Sequence, residues 1–130
     1  YPTPIIQGKA MTGIFTADFY NDEIGIIAGG NYEKLKDKSA NKAITTNGGK
    51  TWELVGLNSG FGYSSCVQFI PNSNGNGIVS VGADGLFYSY NRGKSWQKLL
   101  DDSELYTIRF INEKKAVAAG KNKIIAIDFL

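Results

Sequence analysis

Two octapeptides constrain this chain more than any other feature. Thr45-Thr46-Asn47-Gly48-Gly49-Lys50-Thr51-Trp52 returns as Ser89-Tyr90-Asn91-Arg92-Gly93-Lys94-Ser95-Trp96, 44 residues later. A motif repeated at such a distance means that one structural unit is used at least twice. A wider repeat surrounds the pair. Asp18-Phe19-Tyr20-Asn21, Gln68-Phe69-Ile70-Pro71-Asn72 and Arg109-Phe110-Ile111-Asn112 each place an Asn shortly after a Phe. Each is followed by an apolar segment that closes on a small residue and Gly: Ile27-Ala28-Gly29, Ser80-Val81-Gly82 and Ala118-Ala119-Gly120. The step from Phe to Gly is ten residues in the first and third copies. In the second it is thirteen, because Asn72-Ser73-Asn74-Gly75-Asn76-Gly77 extends a loop.

The segments between these landmarks read as strands. Thr12–Tyr20, Ile24–Ala28, Lys42–Thr46, Thr51–Val55, Ser65–Ile70, Gly77–Val81, Leu86–Tyr90, Ser95–Leu100, Tyr106–Ile111, Ala116–Ala119 and Lys123–Phe129 are short and rich in β-branched or aromatic residues. Gly, Asn, Asp or Pro bounds each of them. The 16 Gly and 11 Asn are turn formers that tolerate positive φ, and no long window carries a capped 3.6-residue apolar stripe. The fold class is therefore all-β. About four strands in a unit of 40 to 45 residues is the signature of a β-propeller blade.

At the two octapeptides the sequence resembles the Asp-box, or bacterial neuraminidase repeat: Ser/Thr, any, Asp/Asn, any, Gly, any, Ser/Thr, Trp/Phe. Both copies fit every defined position, each with Asn at the third. The resemblance implies four-stranded antiparallel blades in which the box turns the third strand into the fourth. Local chemistry agrees with that placement. Asn47 and Asn91 are expected to bond backbone N–H groups two residues on, while Gly49 and Gly93 supply positive φ. Thr45, Thr51, Ser89 and Ser95 offer hydroxyls to backbone groups freed at the hairpin end. Trp52 and Trp96 open the returning strand and bury a ring between sheets. The short blades look like those of photosystem II stability/assembly factor propellers. Related exported bacterial proteins are filed under an oxidoreductase label, and that resemblance implies a place outside the cytoplasm: periplasm, cell surface or secreted.

Composition limits the chemistry. The 130 residues hold 14 cations, 12 anions and no His, so His-based triads and His metal sites are excluded. A net charge of +2, with only Arg92 and Arg109 among the cations as arginine, disfavours nucleic acid. One cysteine, Cys66, can form neither an internal disulfide nor a zinc cluster, and reads as a buried small hydrophobe. No apolar run is long enough to span a membrane. The first residues lack Met, a basic segment and an apolar segment, so no signal peptide is expected in them. Tyr1-Pro2-Thr3-Pro4 reads as a start made by processing or by cutting a longer chain. No cofactor is expected: Gly75-Asn76-Gly77-Ile78-Val79-Ser80 breaks the dinucleotide pattern at its last Gly. Gly49-Lys50-Thr51 and Gly93-Lys94-Ser95 echo a phosphate loop, but Ile44 and Tyr88 stand where it needs a further Gly. A sialidase site needs three arginines around a carboxylate, and two exist. Asp22-Glu23 and Asp101-Asp102 read as solvated loop carboxylates.

Two features are candidates for binding. Asn31–Asn41 carries about nine residues more than the second copy, and its Tyr32, Lys34 and Lys36 either meet a partner or form a solvated excursion. Gly60-Phe61-Gly62-Tyr63 precedes an inner strand, so Phe61 and Tyr63 either face a ligand in the channel or pack between blades. The expected organisation is about 2.5–3 blades: residues 1–10 as the end of a preceding blade or a closing strand, 11–56 and 63–100 as blades, and 104–130 as an incomplete blade. The expected function is a non-enzymatic scaffold or binding module for a protein or glycan. The alternative is part of a carbohydrate-active, sialidase-like enzyme with catalytic residues elsewhere. Apolar outer strands at Ile24–Ile27 and Ile124–Ile127 predict self-association or contact with the remaining blades of a longer chain.

Overall fold

In the computed structural model, residues 1–8, 12–57 and 59–129 are described. The expected blade limits at Met11 and Leu130 lie outside them. Eleven strands form in chain order: β1 (Thr12–Phe19), β2 (Gly25–Asn31), β3 (Lys42–Thr45), β4 (Glu53–Leu54), β5 (Ser64–Phe69), β6 (Ile78–Gly82), β7 (Gly85–Ser89), β8 (Gln97–Leu100), β9 (Leu105–Asn112), β10 (Lys115–Gly120) and β11 (Lys123–Asp128). They make three antiparallel meanders: β1-β2-β3-β4, β5-β6-β7-β8 and β9-β10-β11. These are propeller blades, and in each the first strand is the inner one. No helix occurs among the described residues.

The recurring glycines now have a reason. Gly29, two residues before the end of β2, and Gly82 and Gly120, which end β6 and β10, lie beside the start of the inner strand of the same blade. A Cβ there would collide with the carbonyl of Gly13, Tyr63 or Glu104 respectively. Only glycine lets the two backbones approach so closely.

Blades stack through apolar faces. Ile26, Ala28 and Ile44 of blade one meet Phe61, Val67, Phe69, Ile78, Phe87 and Trp96 of blade two. Val79, Val81 and Leu86 of blade two meet Leu105, Ile108, Ala116, Ala118, Ile127 and Phe129 of blade three. Inner strands are also bound by polar side chains across each gap. Thr16 and Asp18 of β1 accept from the N–H groups of Val67 and Phe69 on β5, at 3.2 and 2.8 Å. One blade on, Gln68 accepts from Phe110 N–H at 2.7 Å, and the Ser65 hydroxyl donates to the Tyr106 carbonyl at 2.9 Å. Side chains of one blade thus satisfy the unpaired backbone edge of the next.

One expectation needs correction. Ile24–Ile27 does not present an open apolar face, because Ile26 and Ile27 are buried. Ile5 and Ile6 lie over blade one with Ile27, Ala43, Trp52 and Leu54, and Ile6 N–H donates to the Ala40 carbonyl. At the other end, Ile124 and Ile111 stand 75% and 64% exposed.

Candidate binding site

The antiparallel order divides the loops between two ends of the blades. One end carries the β1–β2 and β5–β6 turns together with both octapeptides. The other carries the β2–β3 loop, the β6–β7 turn, and the β4–β5 and β8–β9 connections.

At the first end the octapeptides fold alike. The Thr45 hydroxyl donates to Asn47 Oδ1 (2.9 Å) and accepts from Gly49 N–H (2.9 Å). Asn47 Oδ1 also accepts from Thr51 N–H (3.0 Å), and its Nδ2 donates to Thr51 Oγ1 (2.7 Å). Trp52 Nε1 donates back to the Gly49 carbonyl at 3.0 Å. In the second copy the corresponding five distances are 2.8, 2.9, 3.0, 2.7 and 2.8 Å, through Ser89, Asn91, Gly93, Ser95 and Trp96. Gly49 and Gly93 take the positive φ expected of them (92° and 84°), but so do Gly48 at 74° and Arg92 at 58°. Two successive left-handed residues explain one correction. The Asn side chain captures the N–H four residues on, because the N–H two residues on already belongs to the Thr or Ser hydroxyl. A second correction concerns the indoles: Trp96 is buried between sheets, whereas Trp52 is half-buried, packed with Ile5, Ile27, Ala43 and Leu54.

At the opposite end the two candidate features meet. The β2–β3 loop is no free excursion: Tyr63 N–H donates to the Leu35 carbonyl at 2.7 Å, and the Tyr32 and Tyr63 rings meet edge to face, centroids 5.2 Å apart. Phe15 packs on Tyr63 in the same way, at 4.9 Å. Tyr32 and Leu35 from blade one, Tyr63, Ser65, Gly82 and Ala83 from blade two, and Ser103 and Tyr106 from blade three enclose a cleft of about 490 Å³. Tyr32 and Tyr106 are half exposed. Burial, then the neighbouring Tyr32, raises the Tyr63 phenol above its ordinary pKa, so it stays a neutral donor and acceptor. Three carboxylates near this end are matched: Asp84 with Lys98, Asp102 with Lys123, and Glu104 with Lys121 and Lys123. Lys34 and Lys36 on the loop are exposed.

Phe61 does not join this cleft, which corrects its reading as a channel residue. It is 1% exposed, wedged edge to face against Phe87 and Trp96. Lys42 Nζ lies 4.5 Å from its ring centroid and donates to Asn41 Oδ1 at 2.9 Å. Asn41 in turn donates to the Phe61 and Gly62 carbonyls. Sequence reading missed this buried lysine, since an isolated Lys at the start of a strand looks like a surface residue. Desolvation, with Lys38 nearby, lowers its pKa to about 8. Cys66 is buried as expected, with the Arg109 guanidinium 3.2 Å from its sulfur. Asp22-Glu23 and Asp101-Asp102 lie outside the strands, and no described group of three His, Cys, Asp or Glu residues could hold a metal ion.

The BNR/Asp-box repeat family matches residues 43–54 and 87–98, the two turns whose networks coincide bond for bond. The chain carries BNR/Asp-box repeats on β-propeller blades. Among solved structures, YCF48 bound to D1 peptide matches with a TM-score of 0.67 at 17% identity, over 98% of this chain and 44% of that one. YCF48 from Cyanidioschyzon merolae matches at 12% identity and a TM-score of 0.41, over 91% and 51%. The chain thus spans about half the length of these structures. At such identity the first likeness establishes the Asp-box propeller fold, and the second is too distant to add to it. No curated protein sequence matches the chain.

Proposed function

We propose that this Asp-box propeller chain is a non-enzymatic binding scaffold whose tyrosine cleft takes a segment of a protein partner outside the cytoplasm. The observation that carries the reading is the origin of the cleft walls, contributed by three successive blades at the end opposite the Asp-boxes. A rigid stack of blades holds those loops in fixed relation, which is what a binding surface needs. The aromatic lining offers broad apolar contact with phenol and serine hydroxyls at its edge, the composition expected of a recognition site. A protein partner is preferred over a glycan because a propeller of the same fold, YCF48, is described as bound to D1 peptide. The place outside the cytoplasm rests on the resemblance to exported proteins with the same repeat.

The scaffold reading is preferred to a sialidase-like enzyme because neither arginine is free to grip a substrate carboxylate. Arg92 donates to the Asn74 and Gly75 carbonyls at the Asp-box end, and Arg109 holds the Ile108 carbonyl at 2.7 Å. The test is a binding screen of immobilised peptides and glycans with the parent, Tyr63→Ala and Tyr106→Ala. The expected result is peptide capture that falls at least about tenfold in both variants, the size of one lost aromatic contact. Capture of glycans alone, hydrolysis of aryl glycosides, or peptide binding unchanged in Tyr106→Ala would each reject the proposal.

A further inference from the structure

The walls of the tyrosine cleft exclude most of the ways in which a folded surface holds a peptide. An added strand needs an open sheet edge, and the two inner strands that reach the cleft are taken. On β5 the N–H groups of Val67 and Phe69 donate to Thr16 and Asp18. On β9 the Tyr106 carbonyl accepts from Ser65, and Phe110 N–H donates to Gln68. An acidic or phosphorylated segment needs cations within the site, yet no residue lining the cleft is charged. A terminal carboxylate needs free backbone N–H groups. Those of Gly62 and Tyr63 already donate to Asp84 Oδ2 and to the Leu35 carbonyl.

What the cleft does offer is rings and hydroxyls. Tyr32 and Tyr63 stand at 90° to each other with centroids 5.2 Å apart, so the two rings form a notch. Phe15 backs Tyr63 at 4.9 Å and holds its ring in place. Tyr106 adds a third ring from blade three, half exposed. Among the described residues no hydrogen bond holds the hydroxyls of Tyr32, Tyr63, Tyr106 or Ser103. The lining is thus uncharged, aromatic and supplied with donors.

Taking the cleft as the peptide site, we infer that its occupant is a proline-rich segment in the polyproline II conformation. Such a segment complements each property of the walls. Pyrrolidine rings are compact apolar blocks that fit a notch between aromatic rings. Proline has no N–H, and polyproline II makes no internal hydrogen bonds, so its carbonyls are left to accept from phenols and serine. The segment brings no backbone charge, which an uncharged lining requires. Its conformation exists before binding, so little ordering entropy is lost when it docks on a cleft already fixed by three blades.

Isothermal titration of the 130-residue chain with all-L decaproline, all-D decaproline and a Gly-Ser peptide of equal length tests this. The all-L peptide, a left-handed helix, should bind at least about tenfold more tightly than either control. Tyr32→Ala opens the notch and should weaken that binding at least about tenfold. Tyr106→Phe keeps the ring and removes one donor, and should weaken it about threefold to tenfold. Tyr90 is as exposed as Tyr106 but lies at the Asp-box end, so Tyr90→Ala should leave binding unchanged. Equal affinity for the three peptides, a Tyr106→Phe variant that binds like the parent, or equal losses in Tyr90→Ala and Tyr32→Ala would each overturn the inference. If other peptides were still captured through Tyr63, the cleft would remain a peptide site without a preference for proline. If no peptide bound at all, both readings would fall.

Discussion

Blades one and two are the same device in different surroundings. Their Asp-box hydrogen bonds agree to within 0.2 Å. Yet three equivalent positions differ. Trp96 is buried against blade one, whereas Trp52 is half-buried under Ile5 and Ile6. Lys42 stands in β3 where Leu86 stands in β7, both with almost no exposure. Gly48 occupies the turn position that Arg92 fills in the second box. The octapeptide determines the geometry of the turn. The neighbours determine how much each residue contributes to stability.

The largest effect should separate the two indoles. Trp96→Ala opens a cavity beside Phe61, Ile44 and Val55 and should cost about 3–5 kcal/mol. Trp52→Ala already faces solvent in part and loses mainly its contacts with Leu54, Ile27 and the edge of Phe19, about 1–3 kcal/mol. Denaturant midpoints of both variants check this. Equal losses would mean that the cover over blade one is as tight as the joint between blades.

Lys42 against Leu86 sharpens the same contrast through pH. The folded state holds the Lys42 proton less firmly than the unfolded chain, with a pKa of about 8 against an ordinary 10.5. Stability should therefore be insensitive to this group below pH 8 and rise between about 8 and 10.5 as the unfolded state releases its proton. By linkage the gain is at most about 3 kcal/mol. Lys42→Met makes blade one like blade two, and should remove that rise while lifting stability at neutral pH. A parent and variant with parallel stability–pH curves would show that the amine is solvated.

Much of this was legible in the sequence, for physical reasons. The repeat announced the blades because every blade needs the same turn, the same close Gly approach and the same apolar stripe. The β2–β3 loop was legible as an insertion but not as a wall of the cleft, because its Tyr32 and Leu35 acquire meaning only beside Tyr63. Phe61 stayed open between channel and interblade packing for a related reason: a Gly-flanked aromatic before an inner strand gives no sign of which side it turns to. The capping of inner edges by Thr16, Asp18 and Gln68 was hidden as well, since each acts across a gap of 42 to 51 residues.

The Asn pair should behave as twins. Asn47→Ala and Asn91→Ala each strip the turn of two acceptances and one donation, and should cost about 1–2 kcal/mol apiece. Asn→Asp should be tolerated at both, because the Thr51 or Ser95 hydroxyl can rotate to donate where it now accepts. Thermal scans of the four variants test this, and a marked difference between the two Ala variants would mean that the boxes are not independent of their blades.

The smallest effect lies at the position where the turns differ. Gly48 has φ 74°, and a Cβ there would sit 3.0 Å from the Asp22 carbonyl oxygen, so Gly48→Ala should cost about 1 kcal/mol. Arg92 already bears the left-handed strain, at φ 58°. Its guanidinium compensates by binding the Asn74 and Gly75 carbonyls, tying the box to the extended β5–β6 loop. Arg92→Gly therefore relieves strain and loses two partly exposed bonds, and the two should cancel to within about 0.5 kcal/mol. Arg92→Ala keeps the strain without the bonds and should be the less stable of the two. If Arg92→Gly instead lost as much as an Asn variant, the arginine would be a clamp on that loop in its own right, and the second Asp-box would owe part of its stability to a residue that the motif leaves undefined.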